Sequence, residues 1–311
     1  MTDYSSIEVL HSPSEQTIDL ASNVWKRFRR HRAAIGGMAI LSVIVLLSLF
    51  AFLSPYDPVK SNLPERFRPP SASHPMGTDA LGRDLFTRIL YGGRISLTVG
   101  LSAVAISLVI GVPVGALAGY YGGRTDSVLM RFTDAFLSLP PFLVLILLAA
   151  ILREVQLPLV QRNSVLTISI VIGILSWMTF SRLVRAAFLT LRELDYVSAS
   201  RALGSSDRRI ILGHILPNGI GVIIVEATLQ FGYVIILEAG LSFLGFGIQQ
   251  PTPSWGNLIN SAQDHFINYP WLAIFPGLMI FLTIISVNYI GDGLRDAFDP
   301  YKVLESVGEY T

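Results

Sequence analysis

LDYVSASRALGSSDRRIILGHILP, residues 194–217, is a polar stretch lying between two long apolar ones, 163–182 and 218–237. Tyr196, Val197, Ser200 and Leu203 fall at i, i+1, i+4 and i+7, the spacing of a short amphipathic helix. Gly204 stands where a left-handed residue would end that helix. Ser205 or Ser206 then caps a second helix, with Asp207 favourable in its first turn and Ile210, Ile211, His214 and Ile215 continuing it. Pro217 has no amide hydrogen to donate and suits the first turn of the next helix. The segment thus reads as two short helices outside a membrane, bent at Gly204.

Working outward, six stretches are apolar over the ~20 residues that a membrane span needs: 33–53, 95–121, 132–152, 163–182, 218–237 and 271–291. Of 311 residues only 14% are charged, against about 25% in soluble domains, and mean hydropathy is +0.55. Much of the surface therefore requires lipid as its solvent. The basic run Lys26, Arg27, Arg29, Arg30, Arg32 precedes the first span. That span exceeds the ~7–15 residues of a signal-peptide core and lacks a small-residue cleavage site, so it reads as retained. With the amino terminus in the cytoplasm, 15 of the 23 Lys and Arg lie on the cytoplasmic side, which supports cytoplasmic termini. The basic run reads as an orientation signal and lipid contact, not a nucleic-acid site. The chain has no cysteine, which excludes disulfides and thiolate metal sites. No internal repeat is apparent.

Segment 194–217 resembles the EAA loop of binding-protein-dependent ABC importer permeases, which runs Glu-Ala-Ala, three residues, Gly, then nine residues to Ile-x-Leu-Pro. Ser198, Ala199, Ser200, Gly204, Leu216 and Pro217 take those places, with serine for the family glutamate and His214 where many members carry isoleucine. Three further runs resemble the dipeptide, oligopeptide and nickel branch: 77–84 with 93–97, 238–245 leading to 253–257, and 291–296 to 299–300. The chain is similar to the second, C-type permease subunit of that branch. The resemblance implies an all-α fold of six transmembrane helices, one N-terminal helix plus a five-helix type-1 permease core. It divides the chain into a cytoplasmic segment 1–32, a first helix 33–54, an external linker 55–93, a core 94–296 with a coupling loop 187–217, and a cytoplasmic tail 297–311. It further implies a multi-pass protein of the bacterial cytoplasmic (inner) membrane. Its partners would be a homologous second permease, two ABC ATPases that bind the ATP, an external solute-binding protein and membrane lipid. The cargo would be a dipeptide or oligopeptide, or by the same machinery nickel, glutathione or another small solute.

Other classes fit less well. Lys26, Lys60 and Lys302 follow Trp25, Val59 and Tyr301, so no Gly-Lys-Ser/Thr phosphate loop exists and the chain binds no ATP itself. The five histidines form no i, i+4 pair for zinc. Asp134 and Asp292 read as acids in interfacial water, not an intramembrane aspartyl pair. No cofactor, metal or catalytic residue is expected. An ATP-independent channel or secondary transporter remains the rival class, but leaves the 182–217 segment unexplained. Glu226, eight residues into the fifth span, would cost ~2.5–3.5 kcal/mol in lipid, so it belongs on the bundle interior or a wet pathway. Both a pathway carboxylate meeting an ammonium and a carboxyl bonded to a neighbouring helix fit. Glu238, ~120° further round the helix, is expected at the outer surface, as a second acid of the substrate pathway. Arg131 and Asp134 are spaced for an ion pair, and Gly111, Gly115 and Gly119 for a close helix seam.

Overall fold

The computed structural model describes residues 24–154 and 164–298; the readings made on the first 23 residues, on 155–163 and on 299–311 fall outside them. Among the described residues every regular element is helical, and the only strand-like feature is an isolated bridge between Thr78 and Asp84. Helix α1 (Arg32–Leu49) opens where the His31 ring accepts the Ala34 amide, and relaxes into a 3-10 turn at Phe50–Leu53 before Pro55. Helix α2 (Leu85–Tyr121) starts under an Asp84 cap that accepts the Thr87 amide, and ends at Gly122. It begins ten residues before the expected span. After it come α3 (Gly123–Leu137), α4 (Pro141–Glu154) and α5 (Ser164–Leu191), then the short α6 (Asp195–Ala202) and α7 (Asp207–Ile210). The bundle closes with α8 (Leu216–Phe243), the short α9 (Trp255–Ala262) and α10 (Trp271–Phe298).

Five helical units are long and apolar enough to cross a membrane, and α3 with α4 make a sixth if counted together. The sequence reading placed one straight span over 132–152. Instead α3 and α4 meet at a bend of 80°. Pro140 and Pro141 are the cause, since neither has an N–H to donate and each disfavours helical backbone in the residue before it. Helix α3 is amphipathic, and its acids bind α5. Asp126 accepts from Arg185 (Nη2–Oδ2 2.6 Å) and Asp134 pairs with Arg182. The expected Arg131–Asp134 pair is thus replaced by a pair between helices, which ties two elements together.

The glycine seam lies within the subunit. A Cβ on Gly111 would fall 2.6 Å from the Trp177 carbonyl oxygen, and one on Gly119 2.7 Å from that of Arg185; Gly115 touches the Ser181 carbonyl. Helices α2 and α5 therefore pack backbone to backbone, over a core containing Val99, Ala103, Ile168, Val171, Ile172 and Phe180.

Of the stretch expected to be a linker, 55–93, residues 85–93 are the first turns of α2 and residues 55–84 are a built cap at the end of the bundle where α2 begins. Asp79 Oδ2 accepts from Arg83 Nε at 2.7 Å and lies 3.5 Å from Arg88 Nε, and both guanidiniums reach Gln250 Oε1 at 3.3–3.4 Å. Arg88 also donates to the Pro58 carbonyl at 2.8 Å and is wholly buried. His74 Nδ1 lies 2.9 Å from Asp84 Oδ1, while Asp84 Oδ2 caps α2. Phe67 stacks on Tyr269 at 4.1 Å, closing the cap onto the stretch before α10.

Two outcomes follow from this packing. Gly115→Leu must push α2 and α5 apart, at a cost of about 1–3 kcal/mol or more. Its melting temperature in detergent should fall well below that of Gly213→Ala, a position with nothing within 4 Å of the new Cβ; equal melting of the two would mean that no seam exists. Asp79→Ala strands two buried guanidiniums, a change that typically costs ~3–5 kcal/mol. Limited proteolysis should then cut within 55–84, a stretch that stays intact in the parent protein.

Candidate functional site: the joint between the fourth and fifth spans

Helix α6 ends in a Schellman motif. Gly204, at φ +78, donates to the Arg201 carbonyl at 3.0 Å, and Ser205 reaches back to the Ser200 carbonyl at 3.1 Å. Both bonds satisfy carbonyls that would otherwise be orphaned at the helix end. Ser206 holds the N-cap position of α7, but its side chain makes no cap bond. Asp207 is engaged instead by the Tyr120 hydroxyl, which donates to Oδ1 at 2.7 Å from the end of α2.

The sequence reading put Tyr196, Val197, Ser200 and Leu203 on one packed face. Only Val197 and Ser200 are buried. Val197 joins Ile210, Ile215, Ala116, Tyr120, Val184 and Phe188 in one apolar cluster, which seats the joint on the ends of α2 and α5. Leu203 occupies the helix-ending C-cap position, turns outward and is 87% exposed, and Tyr196 is exposed as well. Ser198, Ala199 and Gly204 are exposed beside them, so these residues share one protruding knuckle. Arg192 props it from behind, donating to the Gly119 carbonyl at 2.9 Å and the Tyr120 carbonyl at 3.2 Å. A polar cavity of about 440 Å³ between Tyr120, Tyr121, Arg192, Ser198, Arg201 and Asp207 separates knuckle from bundle.

His214, Leu216 and Pro217 are not in the knuckle. Residues Ile211–Ile215 form a π-turn, and the Leu216 amide bonds the Ile211 carbonyl five residues back. Pro217 cannot donate to the carbonyl four residues before it, and the wider turn absorbs that missing bond. Asn218 Nδ2 satisfies the His214 carbonyl at 2.6 Å. The second short helix is therefore not separate from the fifth span: Asp207–Phe243 is one continuous unit of 37 residues.

The two acids of the fifth span differ. Glu226 is half-buried. Glu238 is not at the outer surface but completely buried, accepting from Ser96 at 2.9 Å and Ser242 at 2.7 Å. Residues 244–262 fold back over the end of α8, brought close by glycine: a Cβ on Gly256 would lie 2.5 Å from the Ala239 carbonyl oxygen. The Trp255 amide donates to Ser96 at 3.3 Å, so α2, α8 and α9 meet around this carboxyl. Burial here depends on a chain reversal, which a helical projection of one span does not contain. The cap ion cluster was likewise missed; the run 77–84, with Asp79, Arg83 and Asp84, was the available signal.

Residues 111–302 match the family described as binding-protein-dependent transport system inner membrane component, and residues 20–70 match the N-terminal TM domain of oligopeptide transport permease C. The chain is 40% identical to the dipeptide transport system permease protein DppC of Alkalihalophilus pseudofirmus, over 93% of this chain and 94% of that protein. It is 38% identical to the oligopeptide transport system permease protein OppC of Bacillus subtilis, over 92% of each. It is also 40% identical to the glutathione transport system permease protein GsiD of Pectobacterium atrosepticum, over 89% of each. Among solved structures, the inward-facing MetNI methionine ABC transporter aligns with a TM-score of 0.53 and 18% identity, over 67% of this chain and 95% of that one, which speaks to the fold alone. With five or six apolar helices and these relatives, the chain belongs to the inner membrane component family of binding-protein-dependent transport systems, as a permease subunit of an ABC importer in the dipeptide and oligopeptide branch.

Proposed function

We propose that this subunit conducts dipeptides or oligopeptides across the inner membrane in a complex with a homologous second permease, two ATPases and an external binding protein. The peptide assignment draws on the similarity to dipeptide and oligopeptide permeases. The binding protein meets the cap end and the ATPases meet the knuckle, with both termini cytoplasmic. The chain itself performs no covalent chemistry and holds no cofactor; ATP is bound and hydrolysed by the partners.

The observation that carries the mechanism is the continuity of α7, the π-turn and α8. An ATPase that grips the knuckle at Ser198–Gly204 and moves on closing shifts a helix end fused to the fifth span. A 37-residue helix is ~55 Å long, so displacement at its base reaches the far side of the membrane without passing through a loop. The glutamate of the EAA pattern is replaced by Ser198, so docking here rests on apolar contact, led by Leu203. Fully burying such a leucine in a partner groove contributes about 1.5–3 kcal/mol by removal of its apolar surface from water.

Leu203→Asp should leave the fold intact, because the residue packs on nothing in the subunit. It should nonetheless reduce ATPase subunits recovered in a mild-detergent pull-down by about ten-fold or more, and abolish peptide-stimulated ATP hydrolysis. Gly204→Val places a β-branched side chain at φ +78 and should uncouple hydrolysis from transport. Purification of the parent chain alone, with peptide movement into liposomes in the absence of ATP, would sink the importer mechanism.

A further inference from the structure

We infer that one face of α8 is a cation-recognition stripe in the translocation pathway, where Glu226, with the half-exposed Tyr233 two turns on, receives the protonated amino group of the substrate. This rests on the peptide-import reading above and adds a recognition step inside the membrane.

Gln230 and Tyr233 lie four and seven residues after Glu226, within ~40° of it around the helix at 100° per residue. Glu226 is at the middle of the Asp207–Phe243 unit, where lipid would be least hospitable to a carboxylate. Among the described residues nothing bonds it or pairs with it. Gln230 is buried; its Nε2 donates to the Ser176 carbonyl at 2.9 Å, which leaves Oε1 without a partner. Tyr233 is half exposed. Among the described residues Glu226 and Tyr233 thus have acceptor capacity that goes unused, and the enclosed Gln230 oxygen sets a negative dipole beside them.

No arginine or lysine occurs between Arg209 and Arg295, so α8, α9 and most of α10 supply no counter-charge. On α5, Arg182 and Arg185 are committed to Asp134 and Asp126. Among the described residues, then, no cation of the subunit pairs with Glu226. The opposite side of α8 shows what a lipid-suited surface looks like here. Ile224, Ala227 and Phe231 line a groove of about 370 Å³ with Leu41, Leu101 and Ile290, in which Thr228 is the one polar residue. One helix thus carries an apolar side and an acceptor side with net negative charge. An alkylammonium supplies both the positive charge and the N–H donors that the acceptor side lacks.

The chain has no cysteine, so Val222→Cys introduces a unique thiol, one turn from Glu226 on the exposed arc. In the complete importer in liposomes, this thiol is reacted with a cationic (trimethylammonium-ethyl) and an anionic (sulfonatoethyl) methanethiosulfonate, and the mass shift of this subunit is read. We expect the cationic reagent to react about ten-fold faster after correction for intrinsic rates, and the preference to vanish when Glu226→Gln is added. Alanyl-alanine should slow the cationic reaction while its N-acetyl form should not. Failure of both reagents to reach the thiol, or a preference that survives Glu226→Gln, overturns the stripe even if peptide uptake is intact. A Glu226-dependent preference in an importer that takes up no peptide would instead overturn the peptide reading and leave the stripe standing.

Discussion

Helices α2 and α5 touch along Gly111, Gly115 and Gly119 closely enough that no side chain fits between their backbones. In lipid, apolar surface gains nothing by leaving its solvent, so helices associate through close packing and polar contacts. The glycine seam supplies the first and fixes the axis on which both functional ends are mounted. Asp84 and Arg88, at the start of α2, anchor the cap, while Tyr120, at its end, holds Asp207 of the joint. The cap and the joint are therefore ~55 Å apart on one rigid rod.

Beside this pair the fifth span is one continuous unit. Its base is α7, its body α8, and the π-turn between them keeps the helix unbroken through Pro217. At the far end Glu238, Ser96, Ser242 and the Trp255 amide tie it to α2 and α9. A buried carboxyl with its hydrogen bonds met by serines is directional, and it holds the outer end of α8 to one position more sharply than apolar contact would. The two ion pairs from α3 to α5 do the same at the bend after α2.

The spans, the Gly204 bend and the glycine seam were legible because each depends on local chemistry. Twenty apolar residues need lipid, a helix end in left-handed backbone favours glycine, and small residues every fourth position line one helix face. The errors share a different cause. Pro140 and Pro141 divide a stretch whose hydropathy alone looks continuous. Leu203 fits an amphipathic pattern but falls where the helix has already ended. Asp134 finds Arg182 on another helix before Arg131 on its own. Glu238 is covered by a chain that returns to it.

What the sequence by itself determined is where the long apolar stretches lie and that the chain bends at Gly204, since these follow from side-chain transfer energies and backbone conformational limits within a few turns. Only the tertiary structure decided that residues 55–84 are a cap, that α7 and α8 are one continuous unit, that Glu238 is enclosed and that Glu226 has no partner among the described residues. Those outcomes depend on which distant groups arrive beside one another, and a charge or hydrogen bond in a low-dielectric bundle is governed by that neighbour rather than by its position along the chain.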